Sequence, residues 1–95
     1  MMYVKVEGEI REHKVQMYAL STCSRCKLAK KFLKDSNIEY EYIDIDLCEI
    51  KDREQIRKDI LNRGGRLSYP VIIVDDRILI NGFEKDKIMD VLEIY

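Results

Sequence analysis

Two short runs constrain this chain most: "VQMYAL" at residues 15–20 and "PVIIV" at residues 70–74. Each is apolar at nearly every position, so neither strand has a face to offer to water. Such strands lie inside a sheet that is covered on both sides, and the cover must come from helices elsewhere in the chain. With 95 residues the chain has room for one small domain, residues 1–95, and a modest core.

The remaining pattern supplies the cover. From Thr22 the apolar period lengthens: Leu28, Ala29, Phe32 and Leu33 fall on one stripe, and Lys27, Lys30, Lys31 and Lys34 on the other. This predicts an amphipathic helix ending near Ser36 and Asn37, with the lysines as a solvated face. If that lysine face lies beside Cys23, it favours acidic partners. "IEYEYIDIDL" alternates and predicts a strand over residues 39–46. A second helix follows over residues 49–63, burying Ile56, Ile60 and Leu61 and stopped by the glycines of "NRGGR". Asp75 and Asp76 turn the "PVIIV" strand into "RILI", an antiparallel hairpin broken at Asn81-Gly82. The chain closes as a helix with Ile88, Val91, Leu92 and Tyr95 on one face. At the other end, residues 2–10 alternate Val4, Val6, Gly8 and Ile10 against charged neighbours, which predicts a half-exposed strand before a polar "REHK" turn.

The order is β-β-α-β-α-β-β-α. Strands two and three, joined by a helix, should run parallel, giving a mixed sheet covered by helices. Tyr18, Tyr40 and Tyr42 fall in strands as packing residues, and His13 falls in a polar turn as a solvated one. Net charge is -1, so no global field draws in nucleic acid or an anionic membrane. No window approaches the ~20 apolar residues of a membrane span. Charges interrupt every apolar stretch that could act as a secretion signal. The expected setting is the cytoplasm.

Cys23 and Cys26 stand where the strand period gives way to the helix period. Three readings are open: a redox couple, part of a zinc site completed by Cys48 and His13, or two small buried hydrophobes. The zinc reading would make the chain a non-catalytic metal-binding or adapter module. It lacks a second closely spaced ligand pair. Position favours the redox couple. Helix N-termini carry free N–H groups and a partial positive charge, which favour a thiolate over a thiol. A free thiol of pKa ~8.5 is only about 3% ionised near neutrality, whereas one of pKa ~6.5 is about three-quarters ionised, a difference of ~2.7 kcal/mol. On this reading Cys23 is the nucleophile, and Cys26, one turn on, resolves the mixed disulfide. Cys48, just before the second helix, reads as a small, partly buried side chain.

These residues together resemble the glutaredoxins of the thioredoxin superfamily: a strand leading into Cys-x-x-Cys, then "SYP" near the start of a later strand, then "NG" after a hairpin. The resemblance covers residues 15–95. It implies a thioredoxin-like α/β fold, a mixed four-stranded sheet flanked by three helices, with residues 1–14 as an extra N-terminal strand and turn. That extra strand must lie at an edge or past the sheet end. The resemblance also implies a thiol-disulfide oxidoreductase acting on protein or small-molecule disulfides. Cys23 and Cys26 would be catalytic. Ser68, Tyr69 and Pro70 would fill the family's Thr-Val-Pro motif, with Pro70 cis and the Tyr69 backbone pairing with an extended substrate. Asn81-Gly82 would fill its Gly-Gly pair. Ser24, Arg25, Gly82 and Phe83 complete the expected substrate groove, with Tyr69 as one wall.

The chain departs from that pattern at three places. Leu20 stands where glutathione-using members carry a lysine, Glu84 and Lys85 stand where they carry Asp-Asp, and Ser24-Arg25 replaces Pro-Tyr. Arg25, Arg66 or Lys85 would have to compensate. "GFEKDKI" resembles instead the Gly-Phe segment of glutaredoxin-like redoxins that serve ribonucleotide reductase and take electrons from thioredoxin reductase. No bound cofactor is implied. The resemblance implies glutathione or thioredoxin reductase with NADPH as the electron donor and disulfide-containing proteins as partners, and no metal is expected.

Overall fold

The computed structural model describes residues 1–94. Strands β1 (Val4–Val6), β2 (Val15–Ala19), β3 (Tyr40–Asp44), β4 (Val71–Val74) and β5 (Ile78–Asn81) form one sheet in the order β1-β3-β2-β4-β5. β2 and β3 are parallel; the other three pairings are antiparallel. The two apolar runs are therefore neighbours at the centre of the sheet, where both faces are covered.

Alternation along these strands sorts their side chains into two layers. Val15, Met17, Ala19, Ile72 and Val74 face Cys26, Ala29 and Leu33 of helix α1 (Ser24–Asp35) and Ile88 and Leu92 of α3 (Lys85–Leu92). Tyr18, Val71 and Ile73 face Ile56 and Ile60 of α2 (Ile50–Asn62). Two helices on one face and one on the other explain why the central strands read as continuously apolar. No buried side-chain nitrogen or oxygen among the described residues lacks a hydrogen-bond partner.

Several expectations are corrected. The N-terminal strand is only three residues long, not nine; Ile10 makes an isolated bridge to Ile38. Between them a Cβ on Gly8 would stand 2.7 Å from the Asn37 carbonyl oxygen, so the chain crosses the turn after α1 instead of running alongside it. β1 lies at the sheet edge, antiparallel to β3. β3 stops at Asp44, and Ile45–Leu47 coil into a single 3-10 turn. α1 begins at Ser24 with Cys23 as its cap, not at Thr22.

Leu28 and Leu61, placed with the core by their spacing, are 53% and 46% exposed. Leu28 is two residues from Cys26 and from Lys30, which turns it about 200° from the buried side at 3.6 residues per turn. Lys30, placed among the solvated lysines, is instead tucked against β3. His13 is not a free polar residue but pairs with Asp75. Tyr18 and Tyr40 are buried and Tyr42 half-buried, as their strand positions suggest. The place assigned to Tyr95 lies outside the described residues; Ile88 and Leu92 are buried and Val91 half-buried.

Candidate active site

The site is built on the end of β2. The chain leaves Ala19, turns through residues 20–23 with the Cys23 amide bonded to the Leu20 carbonyl at 3.1 Å, and enters α1. Cys23 has extended φ/ψ, and its Sγ accepts the Cys26 N–H at 3.2 Å. A sulfur thus occupies the capping role that Ser or Asp fills in most helices, and it takes up one of the helix's free N–H groups. The sulfur thus stands at the end of α1 toward which the axial dipoles point their positive ends.

The two cysteines are unequal. Both are free thiols; Cys23 is half-buried, whereas Cys26 is fully buried among Ala19, Ala29, Leu33 and their neighbours. Burial pushes the Cys26 thiol up to about 12, helped by its hydrogen bond and charge contact with Cys23 and opposed by the Leu20 backbone and Lys30. Only Cys23 presents its sulfur to an incoming molecule.

The loop opposite carries the cis Tyr69-Pro70 bond. The Tyr69 carbonyl oxygen lies 4.0 Å from Cys23 Sγ. Tyr69 is half-buried and packs against both layers of the core, and burial, then the charge of Cys26, raises its phenol above the usual range. Pro70 is buried at the start of β4, and its carbonyl accepts the Gly82 N–H at 2.7 Å. Gly82 has φ +82°, a conformation that suits glycine, and a Cβ there would come within 3.8 Å of Arg25 Nη2. Phe83 packs against Phe32 at 6.0 Å between ring centroids, with Lys85 Nζ 5.6 Å from the Phe32 centroid. Ser24 and Ser68 are exposed. Cys23, Cys26, Tyr69, Pro70, Gly82 and Arg25 therefore meet from three separate stretches of chain, while Phe83 sits one step further out.

Two side chains that spacing does not single out as site residues hold this arrangement. The Asn81 carboxamide accepts the Arg66 N–H at 2.9 Å and donates to the carbonyls of Arg66 and Ser68, at 2.6 and 3.1 Å. It stitches the loop before Pro70 to the end of β5. The Asp46 carboxylate accepts the Ser21 N–H at 2.8 Å and the Ser21 hydroxyl proton, fastening the turn before Cys23. Those bonds, the hydroxyl first, hold the Asp46 carboxyl below its ordinary range. An Asn before a glycine reads as a strand end; nothing in its spacing shows that its amide reaches back across the loop.

Leu20, standing at the family's lysine position, packs against the α2 layer. Cys48 stays apart from the pair: its thiol donates to the Asp44 carbonyl at 3.6 Å, and burial raises it. Cys23 follows the Ala19 end of β2, whereas His13 precedes the Val15 end and is bonded to Asp75. Among the described residues no three His, Cys, Asp or Glu side chains are grouped to hold a metal. The four-residue zinc set is not assembled.

The sequence model of glutaredoxin matches residues 15–79, from the start of β2 through the cis proline into β5. The chain belongs to the glutaredoxin family. Relatives agree with this assignment. An uncharacterized glutaredoxin-like 8.6 kDa protein of the rubredoxin operon in Clostridium pasteurianum is 32% identical over 80 residues, 83% of this chain and 97% of its own length. The glutaredoxin structure from Methanosarcina mazei superposes with a TM-score of 0.86 at 33% identity, covering 95% of this chain and 86% of that one. Methanoredoxin from Methanosarcina acetivorans superposes with a TM-score of 0.82 at 35% identity, covering 90% and 88%. As a glutaredoxin the chain has the thioredoxin-like fold, here with β1 added, and its Cys23–Cys26 pair places it in thiol redox chemistry. Among the described residues no helix is long and apolar enough to cross a membrane.

Proposed function

We propose that this glutaredoxin is a dithiol thiol-disulfide oxidoreductase that reduces disulfides in proteins or small molecules. The observation that carries the reading is the inequality of the pair: a half-buried sulfur capping α1 beside a fully buried one a single turn away.

In the first step Cys23, as thiolate, attacks one sulfur of the substrate disulfide. The substrate S–S bond breaks, its other sulfur leaves and takes a proton, and Cys23 is joined to the substrate in a mixed disulfide. Cys26 then gives up its proton and attacks Cys23. The released substrate thiol receives a proton, and the protein retains a Cys23–Cys26 disulfide. Two electrons have passed to the substrate, and an external thiol reductant returns them. The Tyr69 backbone edge, facing Cys23, suits an extended substrate segment laid down as an added strand. Ser24, Arg25, Ser68, Gly82 and Phe83 form the rest of the groove.

Charge bears on the choice of reductant. With the half-buried Leu20 packed against the α2 layer at the family's lysine position, one cation expected for a glutathione carboxylate is missing, which favours thioredoxin reductase with NADPH as the donor. A reducing cytoplasm suits a pair that must be kept as thiols.

Two measurements test this. A Cys26→Ser variant should accumulate a stable mixed disulfide with a protein substrate through Cys23, detectable by mass; trapping through Cys48 instead would refute the assignment. Reduction of one disulfide substrate should run faster with NADPH and thioredoxin reductase than with NADPH, glutathione and glutathione reductase. Efficient turnover with glutathione would overturn the choice of donor.

A further inference from the structure

One charged pair near the cysteines has no part in the scheme above. Lys30 Nζ lies 2.9 Å from Asp44 Oδ1, with the two side chains only 21% and 16% exposed, and 4.0 Å from the centroid of the Tyr42 ring. Bringing two charges this far out of water is costly, and apolar residues in their place often serve stability as well or better. Their position suggests what they do instead. Lys30 is four residues after Cys26 on α1, so the two share a helix face one turn apart. Helical side chains lean toward the N-terminus, which lays the Lys30 stem back over the Cys26 turn. Asp44 ends β3 directly beside Ala19, the last residue of β2 before the active-site turn. We propose that Lys30, anchored by Asp44, is a positioning residue for Cys26 that stabilises its thiolate in the step resolving the mixed disulfide.

The proposal rests on the dithiol mechanism. The surroundings of Cys26 change during that mechanism in a way that brings Lys30 forward. In the reduced protein Cys26 is raised first by burial and then by Cys23, through a hydrogen bond and through charge. Once Cys23 is tied into a mixed disulfide it carries no charge, and its contribution by charge is gone. Burial remains, opposed by the Leu20 backbone and by Lys30. The groups facing Lys30 are Cys26 on its own helix and Tyr42 and Asp44 of β3, with the Tyr40 hydroxyl donating to the Lys30 carbonyl at 3.3 Å. Those acting on Cys26 are Cys23, Lys30 and the neighbouring Tyr69. The proton lost by Cys26 is balanced by the one gained by the departing substrate thiol.

The test uses the full chain in a Cys48→Ser background, so that only the pair reports, with one molar equivalent of dithiobis(nitrobenzoate). Attack by Cys23 releases a first nitrothiophenolate, and resolution by Cys26 releases a second. Lys30→Met should leave the first phase intact and slow the second. Each unit by which a thiol pKa rises cuts the thiolate tenfold but raises its nucleophilicity about threefold, leaving a net loss of about threefold. The plateau of the second-phase pH profile should move to higher pH by the same unit. Lys30→Arg should restore the parent profile, and Asp44→Asn should slow the second phase less than Lys30→Met does. An unchanged second phase in Lys30→Met, or an equal slowing of both phases, overturns the proposal. If the parent itself shows no two-phase release, the dithiol mechanism fails, and this inference with it.

Discussion

At the Val15 end of β2, His13, Lys14, Asp75 and Asp76 pair off across the hairpin turn; at the Ala19 end, Arg25, Arg66 and Lys85 have no ion-pair partner among the described residues. The first end resembles a seam. The His13 ring donates to Asp75 at 2.7 Å, the Lys14 backbone N–H donates to the same carboxylate at 2.9 Å, and the Lys14 ammonium meets Asp76 at 3.2 Å. These contacts tie the N-terminal segment to the β4–β5 hairpin, and each has satisfied its charge within the chain. At the other end Asp44 pairs with Lys30, while Asp46 and Asn81 hold the two loops that flank Cys23. Arg25, Arg66 and Lys85 there are exposed to solvent.

The comparison can be broken most sharply at Cys23. Cys23→Ser should bring disulfide reduction down to background while the thermal unfolding midpoint stays near that of the parent; retained activity would remove the chemistry from this end altogether. Next in size is Asn81→Ala, which frees residues 66–68 from β5. Misplacing a binding edge by a fraction of an ångström to an ångström is costly, and a loss of about tenfold in kcat/KM is expected, with a smaller change in stability. Steady-state reduction assays against thermal melts would separate the two. Asp46→Ala should lower the rate of mixed-disulfide formation about threefold by loosening the turn before Cys23, read as the first phase of stoichiometric disulfide reaction. A full parent rate would mean the turn holds itself.

The smallest effect belongs to the seam. His13→Ala should leave activity untouched and lower stability slightly at neutral pH. The His13 hydrogen bond, the largest cause, holds the Asp75 carboxyl below its ordinary range. A depressed carboxyl contributes stability above its unfolded pKa, about 3.9, and loses it as pH falls through the folded value. The gap between variant and parent should therefore be present at neutral pH and close in acid, as denaturant melts at several pH values would show. A gap that widens in acid would contradict this origin.

Much of this molecule was legible from apolar periodicity. β2 and β4 read as interior strands because all their residues but the half-buried Gln16 are covered, and the change to the helix period at Thr22 falls within two residues of the start of α1. The errors came at edges. Alternation continues through Gly8 and Ile10 although the chain has already left the ladder there to cross the α1–β3 turn. The spacing of Leu28 and Leu61 suggests the core, but both are exposed. The charge of Lys30 is legible in its own position, whereas its partners Asp44 and Tyr42 on β3 are set by tertiary contact.

The order of strands and helices, the cysteine pair at a helix start and the proline before a buried strand were decided by the chain's own pattern, since each depends on residues within a few positions of one another. The grip of Asn81 on the loop before Pro70, of Asp46 on Ser21 and of Asp44 on Lys30 was decided only when the sheet brought those residues together. Hydrogen bonds and ion pairs act over about 3 Å, and folding alone sets which distant residues come that close.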